Sequence, residues 1–316
     1  MIIRPFTQQD YPAIAEIANA VYPDYPTTSE ELRHRDQSRE PKIKWGRYLA
    51  LVDQVPVGFG IYGQDMAMYH PHKFWLEIQV LPGWQGKGVG RALNAVLEEA
   101  LKEHRAAAVR TGVREDFARS LRFVQDRGYR EEQRAWESRL DLASFDPAPY
   151  AGLEAGLLQQ GIEIRSMREL EQGPQRDRRL YQLELAVDRD MPQPEAFTEY
   201  SFETFQKNVL QHPRLIPEAY LVALKGDEYI GVSTLWGSRE KNDLTNGATG
   251  TLRAWRRKGI ALAMKVKNIL WAKAAGFPEI KTWNNSINRP MLAINERLGF
   301  VKQPAWIGFI KELGEP

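Results

Sequence analysis

Apolar residues occupy every second position along residues 74–80, a period of two that predicts a β-strand with one buried face. Upstream, residues 48–52 and 55–61 are two apolar runs joined at Asp53 and Gln54, which predicts a β-hairpin. After the strand, glycines crowd a short turn, and apolar residues then recur at helical spacing. This recurrence predicts an amphipathic helix whose apolar face comprises Val89, Leu93, Val96, Leu97, Ala100 and Leu101.

The same succession of segments occurs twice, at offsets of 161 to 173 positions. The matching pairs are residues 3–4 with 164–165, 48–52 with 220–224, 57–59 with 230–232, 85–88 with 256–259, and 127–129 with 298–300. Such self-similarity indicates a duplicated unit. We therefore expect two α+β domains, residues 1–145 and 161–316, joined by a linker at 146–160. In the second domain, Ser166 and Glu169 fit a capping box at a helix start.

Composition narrows the classes of function. The 316 residues suit two domains, and the net charge of +2 argues against a protein that mainly binds a nucleic-acid backbone. The absence of cysteine excludes disulfides and thiolate sites. Neither a signal peptide nor a long apolar run is evident, so we expect a cytoplasmic protein that does not span a membrane. His70 and His72 indicate a loop, and we expect no metal site.

The segment that follows the predicted strand carries the clearest chemistry. A strand, a glycine-rich turn and a helix start expose backbone N–H groups where the helix dipole favours an anion. Glycine permits close approach of the backbone to a phosphate. A P-loop is excluded because Gly88 is followed by Val89 rather than by Lys and Ser/Thr, and the dinucleotide fingerprint is excluded because its third glycine would fall on Arg91 or Leu93.

These residues resemble a known family. Gln85-x-x-Gly88-x-Gly90 is similar to the Gln/Arg-x-x-Gly-x-Gly/Ala signature of the GNAT acyltransferases, and the stretch from Arg256 to Ala261 matches it a second time. Residues 282–300 resemble the closing strand and helix of that family, and residues 123–129 are a weaker copy. The resemblance implies two tandem GNAT-like domains, each with a mixed, mostly antiparallel sheet flanked by helices.

The resemblance also implies acetyl-CoA, or another acyl-CoA, as co-substrate and a primary amine on a small molecule or peptide as acceptor. The polarising backbone amide maps near Val80 and Thr251. The implied cofactor-binding residues are Val80, Gln85, Gly86, Lys87, Gly88, Val89, Gly90, Arg91, Thr251, Arg256, Arg257, Lys258, Gly259, Ile260, Ala261 and Asn288. Trp283 and Asn284 are the expected acceptor contacts.

The residues at the positions where the family transfers protons depart from the family pattern. Many family members carry a tyrosine five residues before the closing Gly-Phe, but these positions hold Val124 and Asn295 here. Glu77 is a candidate base in the first domain, unless it is a solvent-facing strand residue. Asp243 is a candidate in the second domain, unless Asn242 and Asp243 form a turn.

Two questions stay open at this stage. The missing tyrosine also fits a protein that binds acyl-CoA without turnover. The domain that performs the chemistry is also open; we predict the second domain, because three successive cations, Arg256, Arg257 and Lys258, favour phosphate binding there.

Overall fold

The computed structural model describes residues 1–238 and 242–314. The chain divides into two compact units, which we call the first unit (Met1–Gln133 with Trp306–Pro316) and the second unit (Arg134–Ala305). Within the described residues, no helix combines the length and apolar character needed to cross a membrane.

The first unit contains a six-stranded sheet in the order β1-β2-β3-β4-β5-β13. Neighbouring strands are antiparallel except β4 and β5, which are parallel. Its elements are β1 (Ile2–Pro5), α1 (Tyr11–Val21), α2 (Ser29–Gln37), β2 (Trp45–Val52), β3 (Val55–Gly63), β4 (Lys73–Val80), α3 (Val89–Glu103), β5 (Ala108–Arg114), α4 (Ala118–Gln125) and β13 (Trp306–Glu312).

The second unit repeats this order as β7-β8-β9-β10-β11-β6, again with one parallel pair, β10 and β11. Its elements are β6 (Arg130–Asp141, which begins in the first unit), α5 (Leu153–Gln159), β7 (Ile162–Ser166), α6 (Pro174–Asp188), α7 (Phe202–Phe205), β8 (Leu215–Lys225), β9 (Glu228–Ser238), β10 (Asp243–Thr251), α8 (Ile260–Ala274), β11 (Glu279–Asn285), α9 (Arg289–Arg297) and β12 (Val301–Lys302). The expected fold, a mostly antiparallel sheet with helices in each domain, is confirmed.

The sixth strand of each sheet comes from an unexpected part of the chain. Trp306–Glu312 pairs with β5, so the last strand of the sequence completes the first unit. Arg130–Asp141 pairs with β11 and completes the second. The compact units therefore differ from the sequence-based boundaries, because the boundary follows strand pairing rather than chain order. The expected linker contains the helix Leu153–Gln159.

Local sequence explains most of the element boundaries. The predicted hairpin turn is present, with Asp53 and Gln54 both at positive φ. The capping-box prediction is wrong about the helix. Ser166 does donate from its N–H and hydroxyl to Glu169 at 2.7 Å, but these bonds close a turn after β7, and α6 begins only at Pro174.

Candidate active site

The loop after β4 presents open backbone amides at the start of α3. A short 3₁₀ turn, Pro82–Trp84, leads into Gly86 and Gly88, whose φ angles are +78° and +88°. Gly88 is the N-cap of α3 and provides no side-chain cap. Because the first intrahelical bond runs from the Ala92 N–H to the Gly88 carbonyl, the amides of residues 89–91 precede the helical ladder.

The loop after β10 follows the same path. A 3₁₀ turn, Arg253–Trp255, precedes Gly259, the N-cap of α8 at φ +79°. The Ala263 N–H makes the first intrahelical bond to Gly259. Arg257 stands where the first loop has Gly86, and it adopts φ +63°. A non-glycine residue in this region costs about 1 kcal/mol, so the second loop keeps its shape at some energetic cost.

The signature side chains Gln85 and Arg256 fold back onto their own loops. Gln85 Nε2 donates to the Val80 carbonyl at 3.0 Å, and Arg256 Nε donates to the Thr251 carbonyl at 3.4 Å. Both bonds reach the last residue of the preceding strand. These side chains therefore fix the loop conformation, a role that the signature alone does not reveal.

Each loop also holds a lysine against a tryptophan. The Lys87 ammonium lies 4.8 Å from the ring centroid of Trp84, and Lys258 lies 5.7 Å from Trp255. The cation–π attraction holds each charge on its loop. The two tryptophans were not among the predicted site residues.

Asp190 partly neutralises the second loop. It follows α6 and accepts hydrogen bonds from Arg253, at 2.9 and 3.0 Å from Nε, and from Arg256. The hydrogen bond from Arg253 lowers the pKa of Asp190. Of the three cations predicted for this loop, Arg256 is therefore paired with Asp190, and the exposed Arg257 and Lys258 supply positive charge that Asp190 does not neutralise.

In each unit the parallel strand pair separates into a fork. The last pairing between β4 and β5 joins Trp75 and Arg110, and β10 and β11 are paired at Thr245 and Lys281. Beyond these points the strands continue towards the loop without pairing to each other. The fork leaves a slot whose open end lies beside the glycine loop.

The two forks differ in backbone geometry. Strand β10 contains a β-bulge between Asn246 and Thr249, so Gly247 and Ala248 have no aligned partner on β9. Strand β4 pairs with β3 without a break up to Val80. The backbone irregularity is thus found in the second unit, a few residues before the predicted position Thr251.

The predicted polar residues of the second unit are held in local contacts. Asp243 is buried and forms ion pairs with Arg214 and, at 3.1 Å, with Lys281. Asn295 is 1% exposed and donates from Nδ2 to Asn284 Oδ1 at 2.6 Å, which ties α9 to β11.

The remaining two predicted residues both precede α9 in the chain. Asn288 caps the helix by accepting from the Met291 N–H at 3.4 Å. Trp283 is partly exposed on β11, past the fork.

In the first unit, Glu77 lies beside an aromatic cluster that we define as Tyr22, Tyr25, Phe117 and Trp306. The Tyr22 ring stacks on Phe117 at 5.5 Å and lies 5.5 Å from Trp306. Burial, and then the charge of Glu77, raise the pKa of Tyr22. Glu77 also accepts a hydrogen bond from Gln79. Trp306 reaches this cluster from the last strand, so no local signal could have indicated it.

Two acids of α6 in the second unit accept hydrogen bonds from tyrosines; one pair is buried and the other is partly buried. Tyr220 donates to Glu184, and Tyr200 donates to Asp188 at 3.0 Å. Burial raises the pKa of Glu184 to about 7 and also raises that of Asp188.

A buried lysine stands behind the fork of the second unit. Lys265, on α8, is 2% exposed and donates to Asn246 Oδ1. Its ammonium lies 5.2 Å from the ring centroid of Phe300. Burial lowers its pKa to about 7. Sequence analysis missed Lys265 because lysine in an amphipathic helix normally faces solvent.

Part of the chain matches a known protein family, and most of it aligns with a known enzyme. Residues 11–129 match the model of the acetyltransferase (GNAT) family. The mycothiol acetyltransferase of Thermobifida fusca is 24% identical over 240 residues, which cover 71% of this chain and 70% of that protein.

Two solved structures share the fold along the whole chain. The GCN5-related N-acetyltransferase from Sphaerobacter thermophilus has a TM-score of 0.71 and 21% identity, covering 100% of this chain and 96% of that one. A tandem GNAT protein from the clavulanic acid biosynthesis pathway has a TM-score of 0.74 and 16% identity, covering 100% and 99%.

The family model lies on the first unit, and the second unit repeats its sheet order, its fork and its glycine loop. One of the two solved structures is described as a tandem GNAT protein. Residues 11–129 therefore match the acetyltransferase (GNAT) family, and the fold of the whole chain is similar to that of GNAT structures, which together support a tandem GNAT acetyltransferase.

Proposed function

We propose that this acetyltransferase transfers the acetyl group of acetyl-CoA to a primary amine by direct attack, and that the second unit performs the chemistry. The observation that carries this proposal is the β-bulge of β10 at its fork, which leaves Gly247 and Ala248 without an aligned partner on β9. Strand β4 has no bulge, so all of its residues at the fork stay aligned with β3.

The loop residues fit a CoA pyrophosphate. A Cβ built on Gly88 or on Gly259 meets no atom within 4 Å, so the space above each helix start is open. Open amides, the helix dipole and a nearby lysine all favour an anion there. Charge-assisted hydrogen bonds of this kind contribute roughly 1.5–3 kcal/mol each.

The chain's own groups then have three tasks. The loop and fork orient the thioester beside the acceptor. An amide of the bulge, at Gly247 or Ala248, donates to the carbonyl oxygen as negative charge develops. Asp243 would have to break an ion pair to take the ammonium proton, so we assign that proton to water in the second unit. Glu77 is the proposed base for any turnover in the first unit.

The acceptor side of the second unit combines an aromatic surface with amides. Trp283 and Asn284 lie on β11 past the fork and could stack against and hydrogen-bond a small molecule or peptide carrying the amine. The relative from Thermobifida fusca is called a mycothiol acetyltransferase. The proposed acceptor class is primary amines.

Paired loop variants test the division of labour. Gly259→Trp should abolish both turnover and acetyl-CoA binding at the second loop, whereas Gly88→Trp should leave turnover largely intact. Gly152→Trp is the matched control, because Gly152 is also a helix N-cap at φ +88° with open space around it. Thiol release from acetyl-CoA is followed over an amine panel, with calorimetry for binding.

The opposite pattern, in which Gly88→Trp alone stops turnover, would assign the chemistry to the first unit. Tight acetyl-CoA binding with no thiol release over the whole panel would favour the binding-only alternative. Loss of activity in the Gly152→Trp control would instead indicate that backbone strain, rather than blocked phosphate approach, explains the loop variants.

A further inference from the structure

The closed end of the fork in the second unit is polar and buried. Asn246 directly follows Thr245, where β10 and β11 are paired. Its amide donates to the Gly247 carbonyl at 2.8 Å and to Thr249 Oγ1 at 3.1 Å, and its oxygen accepts from Lys265. Asn246 therefore connects the bulge to the buried lysine.

One buried polar atom near Lys265 lacks a hydrogen-bond partner among the described residues. Asn268, one helical turn after Lys265, is 2% exposed and donates to the Ser233 carbonyl at 3.1 Å. Its Oδ1 has no hydrogen-bond partner among the described residues. Such a buried orphan atom beside a buried lysine is costly unless a ligand completes the site.

The first unit has no equivalent cation. At an offset of 171, Lys265 corresponds to Asn94 and Asn268 to Leu97, and both of these side chains are buried in the first unit. The lysine is thus specific to the fork that carries the bulge.

The distance from the loop to Asn246 suits the arm of CoA. Asn246 lies five positions before Thr251 in the sequence, which corresponds to about 17 Å along a β-strand. The arm between the phosphate and the sulfur contains about as many bonds as four extended residues, roughly 14 Å. A phosphate at the second loop therefore places the sulfur near the closed end of the fork.

We propose that Lys265 is a catalytic residue that protonates the thiolate of CoA as it leaves, an inference that rests on the proposed function of the second unit. The amine attacks the carbonyl carbon and forms a C–N bond. When the C–S bond breaks, its electron pair goes to sulfur, and the Lys265 ammonium donates a proton to that sulfur. The attacking nitrogen loses its proton to water, and solvent returns one to Lys265.

The electrostatics of the site support this role. Loss of hydration alone lowers the pKa of Lys265 to about 7, close to physiological pH, where general acids act most efficiently. The charged side chains on the two fork strands, Asp243 and Lys281, pair with each other, and Asn246 and Phe300 supply the remaining contacts of the ammonium.

A cysteine-trapping experiment tests the position of Lys265. The chain has no cysteine, so Lys265→Cys introduces a single thiol. With CoA disulfide as the probe, this thiol should form a protein–CoA mixed disulfide and release CoA, at least about tenfold faster than the matched Asn94→Cys variant. Excess acetyl-CoA should suppress the reaction. Intact mass measures the adduct, and equal, unsuppressed rates in the two variants would overturn the proposal.

Kinetics of Lys265→Met and Lys265→Arg test the chemistry. Loss of a general acid typically costs 10²–10⁴-fold. We expect kcat to fall by about 100-fold in both variants with KM for acetyl-CoA little changed, because arginine keeps the charge but does not release a proton. In the wild type, kcat should fall above neutral pH as Lys265 loses its proton, and this fall should be absent in both variants. Full activity in either variant would refute this proposal alone, whereas wild-type protein that fails to bind acetyl-CoA would refute the proposed function as well.

Discussion

Replacing Lys265 by methionine removes a buried ammonium and keeps most of the side-chain volume. In the unfolded chain the lysine has its ordinary pKa of 10.5, whereas burial lowers the folded value to about 7. Below pH 7 both states are protonated, and the wild type bears the full cost of burying the charge. Between pH 7 and 10.5 only the unfolded lysine is charged, so this cost declines as the pH rises.

The magnitude follows from the two pKa values. A difference of 3.5, from 10.5 to 7, at 1.36 kcal/mol per pKa unit corresponds to about 5 kcal/mol. Methionine also leaves Asn246 Oδ1 without its donor, which costs about 1–3 kcal/mol. The variant should therefore be more stable than the wild type by about 2–4 kcal/mol at pH 6, and less stable near pH 10.5.

Urea unfolding of both proteins between pH 6 and 10 measures this difference. Lys102→Met is the control, because the Lys102 side chain is 73% exposed and its replacement should change the free energy of unfolding little at any pH. A stability difference for Lys265→Met that does not vary with pH would refute the reasoning. A confirmed gain in stability would mean that the lysine is kept at an energetic cost, as expected of a functional group.

Three further perturbations probe the second unit. Glu184→Gln should raise the free energy of unfolding by about 3 kcal/mol at pH 8 and hardly at pH 4.5, because the pKa of the carboxyl group is 4.5 in the unfolded chain and about 7 in the folded one. Urea unfolding at both pH values measures the gain, and an equal gain at the two would contradict this prediction. Asp190→Asn, in the Gly88→Trp background, should tighten acetyl-CoA binding severalfold and make it more dependent on salt, because it releases the charges of Arg253 and Arg256. An unchanged affinity in calorimetry at low salt would count against a role for Asp190 in setting the loop charge. Gly247→Ala should lower kcat, because the new Cβ would overlap Thr234 at the bulge. Gly112→Ala is the control, because the space around Gly112 is open and kcat should not change. Equal activities of the two variants would disprove the role of the bulge.

The features that sequence predicted well are those set by neighbouring residues. Gly88 and Gly259 mark their loops because only nearby backbone decides whether a left-handed N-cap forms. The hairpin at Asp53 and Gln54 is local in the same sense. The bonds between Ser166 and Glu169 were also anticipated, but a turn uses them as readily as a helix start does.

The features that sequence did not predict depend on residues far apart in the chain. Asp190 lies 63 positions before Arg253, and neither residue carries a pattern that indicates the other. Trp306 belongs to the aromatic cluster only because β13 pairs with β5. Lys265 was invisible because helical periodicity describes one apolar face, whereas α8 is buried on more than one side, including at Asn268.

The pairing of β13 with β5 bears on how the protein is made. Trp306 aligns with Arg114, which is 192 positions earlier in the chain. At about 5–20 residues per second, a ribosome needs roughly 10–40 s to add that stretch. During this time the first unit lacks its sixth strand and β5 presents an unsatisfied edge, the kind of surface that chaperones bind and that aggregates form on. Of the two units, the one whose synthesis begins first is thus the last to be completed.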